Sequence, residues 1–161
     1  MSIEIKQLSR EFHKYLRKEY SDIKTVLKYR SQFQLLVSIV LSAQTTDENV
    51  NKATKGLFKE YPNAKSLASG RITKIEKLVF STGFYKVKSK NIHSLAKVLV
   101  KEYNSRIPKT IDELVKLPGV GRKTASVFLA ETFDQPTIAV DTHVLRVCLL
   151  YTSDAADEED V

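Results

Sequence analysis

Leu117-Pro118-Gly119-Val120-Gly121-Arg122-Lys123-Thr124-Ala125 and Val140-Asp141-Thr142-His143 carry the groups best suited to chemistry. Gly119 and Gly121 permit positive φ and a close backbone approach. The turn they form opens onto a helix starting near Arg122. The first amides of such a helix point outward, unsatisfied and partially positive. A phosphate oxygen can accept from them without any base being read. Arg122 and Lys123 add positive charge at the same place. Lys123 also offers an amine. Protonated, it contacts phosphate; neutral, it attacks a sugar carbon or forms a Schiff base. The neighbouring Arg122, the positive helix end and partial burial would each favour the neutral form. Asp141 is placed to cap a helix. Beside a reacting sugar its carboxylate would stabilise cationic character at the anomeric carbon or help to deprotonate the lysine. His143 is a further candidate phosphate contact.

The charge fits a polyanionic partner. The chain has 26 Lys and Arg against 19 Asp and Glu over 161 residues. Five of the acids (Asp154, Asp157, Glu158, Glu159 and Asp160) fall within residues 148–161, which hold no base. Residues 1–147 thus carry 26 bases and 14 acids, an excess of 12. Such an excess favours nucleic acid. The chain has no apolar run of membrane-spanning length and no secretory signal pattern, so a cytoplasmic protein is expected. A single cysteine, Cys148, excludes an internal disulfide and, alone, a cysteine-built metal site.

The elements that must position these groups read as helices throughout, an all-α fold of short packed helices. Ile5, Leu8, Phe12, Tyr15 and Leu16 mark one face of an N-terminal helix. Ser31 can cap a helix that is apolar nearly all round from Phe33 to Leu41, hence a buried centre. Asp47 is expected to cap the next helix, and Pro62 to start a short one ended by Gly70. Ile72 to Val79 form another, stopped near Gly83. Thr110 with Glu113 suggests a capping box before Leu114. The expected organisation is an N-terminal helix over 1–21, a helical domain over 22–147 with a helix-hairpin-helix at about 110–133, and an acidic tail over 148–161. That tail resembles, as a string, a translated sequencing-adapter end. It is expected to be non-native and to pack poorly, the natural chain continuing differently after about Val147.

The hairpin string, with Pro136-Thr137-Ile138-Ala139-Val140-Asp141-Thr142-His143, resembles endonuclease III, the bifunctional DNA glycosylase and AP lyase. So do Leu41-Ser42-Ala43-Gln44-Thr45-Thr46-Asp47, Val50-Asn51-Lys52-Ala53-Thr54, and Gly83-Phe84-Tyr85 followed by Lys88 to Ile92. The resemblance covers about residues 5–147 in collinear order. It implies that Lys123 is the nucleophile and Asp141 its catalytic partner. It also implies that Gln44 and Phe84 enter the duplex beside a flipped nucleotide, and that Pro118, Gly119, Val120, Gly121, Arg122, Thr124 and His143 line the DNA contact. A lysine at 123 argues against the adenine-DNA glycosylase branch. The implied activity is removal of oxidised pyrimidines from double-stranded DNA and cleavage 3′ to the abasic site, by a monomer. Two rivals stand beside it: a non-catalytic helix-hairpin-helix module, and a related glycosylase for mismatched bases. Members of the family also carry a [4Fe–4S] cluster on four C-terminal cysteines, in a second lobe. Those cysteines are absent here, so no cofactor or metal is expected in this chain, with the N-terminal helix as the lobe's remnant and its apolar face exposed. A basic face is expected from Arg122, Lys123 and several of Lys86, Lys88 and Lys90.

Overall fold

A computed structural model describes residues 3–20, 25–137 and 139–157. Its centre is the helix α2 (Gln32–Leu41), in which every residue from Phe33 to Leu41 is buried. No face of it is polar, so other helices must surround it. Ser31 caps it as expected, its hydroxyl accepting from the Gln34 amide at 3.3 Å. The buried Gln34 amide group is satisfied twice: Oε1 accepts from Arg30 N at 2.9 Å and Nε2 donates to the Pro62 carbonyl at 3.2 Å.

Around α2 lie α3 (Asp47–Glu60), α4 (Ala64–Ala68), α5 (Ile72–Val79), α6 (Tyr85–Glu102), α7 (Ile111–Leu114) and α8 (Arg122–Phe133). The central helix packs on α3, α6 and α8, while α6 carries α4 and α5 and α7 leans on α8. One continuous core joins Leu36, Leu57, Leu67, Ile92, Leu99, Leu117 and Phe128, among others. Truncating a member such as Leu36, fully buried, to alanine should cost about 2–5 kcal/mol.

Two helix starts differ from expectation. Thr46, rather than Asp47, caps α3, leaving Asp47 in the first turn where its charge meets the positive helix end. The helix α4, expected to start at Pro62, starts at Ala64, with Asn63 as its cap and a capping box closed by Ser66.

Two helices stand outside this core: α1 (Ile3–Glu19) and α9 (Thr142–Asp157). Leu8, Phe12 and Tyr15 on α1 are exposed, as are Val144, Leu145, Leu149 and Leu150 on α9. The acidic tail continues the α9 helix as far as Asp157, so its backbone is ordered as helix although its apolar side chains at 149 and 150 lie open. Among the described residues there is no strand, and no helix is long and apolar enough to cross a membrane.

Candidate nucleic-acid interface with a lysine–aspartate cleft

The hairpin follows from how α7 ends. Leu117 is buried and its carbonyl accepts from Val120 N at 3.1 Å, closing a tight turn around Pro118 and Gly119. Gly119 has φ +79°, and a Cβ there would lie 2.8 Å from Asn91 Cβ on α6. Both facts require glycine. Gly121 is different. Its φ is −89°, open to any residue, and a Cβ there would meet nothing within 4 Å. The positive φ read from sequence for Gly121 is therefore corrected; what glycine provides there is an unobstructed approach to the backbone from outside.

Val120 also departs from its expected place among the contact residues. Its side chain is buried and its N–H is bonded to Leu117. It pins the hairpin to the core. The amides left for an outside acceptor are those ahead of Ala125, whose N–H is the first of α8 to reach a helical carbonyl, that of Gly121. No side chain caps this helix. Arg122 and Lys123 are exposed at its start, while Pro118 and Thr124 are half-buried.

Lys123 Nζ donates to Asp141 Oδ1 as an ion pair. Asp141 also caps α9: its Oδ2 accepts from His143 N at 3.0 Å and its carbonyl accepts from Leu145 N at 3.0 Å. The capping and pairing roles coexist, one on each carboxylate oxygen. The Lys123 hydrogen bond and then the His143 amide hold the Asp141 carboxyl below its ordinary range. Lys123 and Asp141 line a cleft of about 520 Å³ with Ile111, Arg122, Ser126, Val140 and others. The lysine side chain is 54% exposed. His143 is exposed.

Gln44 and Phe84 occupy two further turns, one after α2 and one before α6. Gln44 follows the end of α2 and is exposed with φ 53°. Phe84 is 70% exposed, precedes α6 and has φ 47°. Holding a non-glycine residue in this left-handed region costs roughly 1–3 kcal/mol each, which the surrounding structure must supply. An exposed aromatic in a strained turn has no role in packing. Gly83, φ +66° with open space around it, lets the chain enter that turn.

Of the residues expected to form a basic face, Arg122, Lys123, Lys86 and Lys90 are exposed. Lys88 does not belong to it: it is buried, and burial pushes its ammonium below the ordinary lysine value. Sequence reasoning missed its true position because a lysine in a helix with Lys86 and Lys90 reads as solvated.

The family profile described as "HhH-GPD superfamily base excision DNA repair protein" matches residues 37–160, which defines the class. An endonuclease III of Synechocystis is 46% identical over 143 residues, covering 88% of this chain and 65% of that relative. The structure of a non-covalent endonuclease III–DNA complex superposes with a TM-score of 0.79 at 44% identity, over 88% of this chain and 66% of the other. A trapped endonuclease III–DNA covalent intermediate gives the same TM-score and identity, over 67% of its chain. The chain belongs to the endonuclease III family. It spans 58–65% of the length of the first two curated relatives it matches. The family's iron–sulfur cluster requires four thiolates. Cys148, exposed on α9, is the one cysteine in the sequence, so the residues present do not fit that group.

Proposed function

We propose that this protein acts in base-excision repair as a DNA glycosylase and AP lyase. Its substrates would be oxidised pyrimidines and abasic sites in duplex DNA. The observation that carries this reading is the Lys123–Asp141 pair at the open end of α8, in a cleft beside a hairpin with uncapped amides. A binding module needs the amides and the basic face. It does not need an exposed amine held by a carboxylate where a sugar would enter.

In the proposed reaction the hairpin and Arg122 hold a phosphate, and a nucleotide leaves the stack to reach the cleft. The sugar enters between Lys123 and Asp141 and displaces their ion pair. The Lys123 amine, having lost its proton, forms a bond to the anomeric carbon as the bond to the base breaks, and the base leaves with a proton. Asp141 stabilises the cationic sugar as that bond weakens. Opening of the ring gives a Schiff base. Loss of a 2′ proton then breaks the C3′–O bond, and water releases the lysine. Gln44 and Phe84 fill the gap left in the duplex.

Borohydride reduction in the presence of abasic DNA tests this. A covalent protein–DNA adduct that depends on Lys123 is expected. Salt-sensitive DNA binding with no adduct would instead support a non-catalytic module, and an adduct surviving Lys123→Ala would sink the assignment of the nucleophile.

A further inference from the structure

Lys88 lies one helical turn after Phe84, its amide donating to the Phe84 carbonyl at 3.0 Å. Its side chain is 5% exposed. A lysine this deeply placed must have partners for its donors. The ammonium donates to Thr45 Oγ1 at 2.8 Å and to the Thr82 carbonyl at 2.6 Å. Thr45 Oγ1 donates to that same carbonyl, closing a triangle. Thr82 is held from behind, its hydroxyl donating to the Val79 carbonyl at 2.7 Å.

The triangle joins three separate pieces of chain. Thr45 follows Gln44. Thr82 precedes Phe84 by two residues. Lys88 belongs to the helix that Phe84 begins. Gln44 and Phe84 both stand in the left-handed region that such residues rarely adopt, so each turn must be restrained from outside itself. Lys86 and Lys90, on the same helix, are exposed and free to meet phosphate. Lys88 faces inward, where its only described partners are the two turns.

We infer that Lys88 is a positioning residue: its ammonium latches the Gln44 turn to the Phe84 turn, so that both side chains enter the duplex as one unit at a single gap. The inference rests on the proposed DNA reading of those two side chains. The coupling of the turns can be tested without DNA.

Thr45→Val removes the hydroxyl from the triangle while keeping the shape and the buried ammonium. Lys88→Met removes the ammonium and keeps the stem, and Lys88→Arg returns a charge. Amide hydrogen exchange in the full chain without DNA reports the latch. Thr45→Val should speed exchange at residues 81–85, remote in sequence, by about tenfold or more. Affinity for a duplex holding a tetrahydrofuran abasic analogue, relative to an intact duplex, reports positioning. That ratio should shrink about tenfold in Thr45→Val and Lys88→Met. Affinity for intact duplex should be unchanged, and Lys88→Arg should recover part of the ratio. Unchanged exchange at residues 81–85 in Thr45→Val would overturn the latch. Faster exchange with an unchanged ratio would overturn its role in positioning. If Lys88→Met fails to fold, Thr45→Val decides. A wild-type protein with no preference for the analogue would refute the DNA reading of the turns, while the exchange measurement still judges the latch.

Discussion

The hairpin turn and the turn that carries Phe84 use glycine in opposite ways. At the hairpin, Gly119 is required from inside: Asn91 occupies the space a side chain would need. The turn is packed on the core, and its outward product is backbone. At the wedge turn, Gly83 has nothing near it, and the residue it introduces, Phe84, is an exposed side chain in a strained conformation. The first turn presents amides, suited to a phosphate, which is the same at every nucleotide. The second presents an aromatic surface, suited to a gap in the base stack, which marks one nucleotide. On the proposed function, generic grip and local detection would fall to different chemical groups on different elements.

Substitutions on the hairpin side should have the largest effects. Lys123→Ala should abolish borohydride trapping altogether while lowering the melting temperature only slightly, as expected for loss of one largely exposed ion pair. Asp141→Asn should keep DNA affinity and lose about 10²-fold or more in turnover, measured under single-turnover conditions. Gly119→Ala should destabilise the fold by roughly 2–4 kcal/mol, because positive φ and overlap with Asn91 add. Gly121→Ala sharpens the contrast: stability should change by less than about 1 kcal/mol, while affinity for any duplex falls about tenfold in a titration, as expected if the methyl obstructs a phosphate. Equal melting temperatures for the two glycine variants would break the comparison. On the wedge side, Phe84→Ala should leave stability within about 0.5 kcal/mol. It should reduce preference for an abasic duplex by an amount typical of one lost stacking contact, about 1–3 kcal/mol.

The smallest effect concerns pH. The folded Asp141 carboxyl titrates below its ordinary value of 3.8. Its ionised form therefore favours folding above that value, and the contribution is lost as pH falls through the depressed folded one. The melting temperatures of wild type and Asp141→Asn should thus converge as pH drops below about 3.8. A difference that stays constant to lower pH would show that the Lys123–Asp141 pair adds nothing to stability.

Much of this arrangement is legible in residue order. The all-apolar run from Phe33 to Leu41 dictates a central helix, and Ser31 marks its start. The spacing of Pro118, Gly119 and Arg122 dictates a turn feeding a helix with open amides. Capping is less legible where two candidates adjoin: Thr46 and Asp47 could both cap, and only the extended backbone at Thr46 decides between them. The inner position of Lys88 is not legible at all. Helical periodicity would place it with other lysines, and only the acceptors at Thr45 and Thr82, distant in sequence, make burial of its ammonium tolerable. Gly119 and Gly121 likewise look equivalent in a string, and only their φ values and the presence of Asn91 tell them apart.

The contact between Gly119 and Asn91 has a metrical consequence. Asn91 stands seven residues along α6 from Phe84, which at 1.5 Å per residue is about 10 Å, or about three nucleotide steps along one strand. The helix is in effect a ruler, with the wedge at its zero mark and the hairpin seated two turns along. Its graduations are rigid hydrogen-bonded turns. Adding one residue between Phe84 and Asn91 would rotate the wedge by about 100° about the helix axis and move it by about 1.5 Å. On the proposed function, the hairpin would then keep its grip on a phosphate while the aromatic ring was aimed away from the base stack.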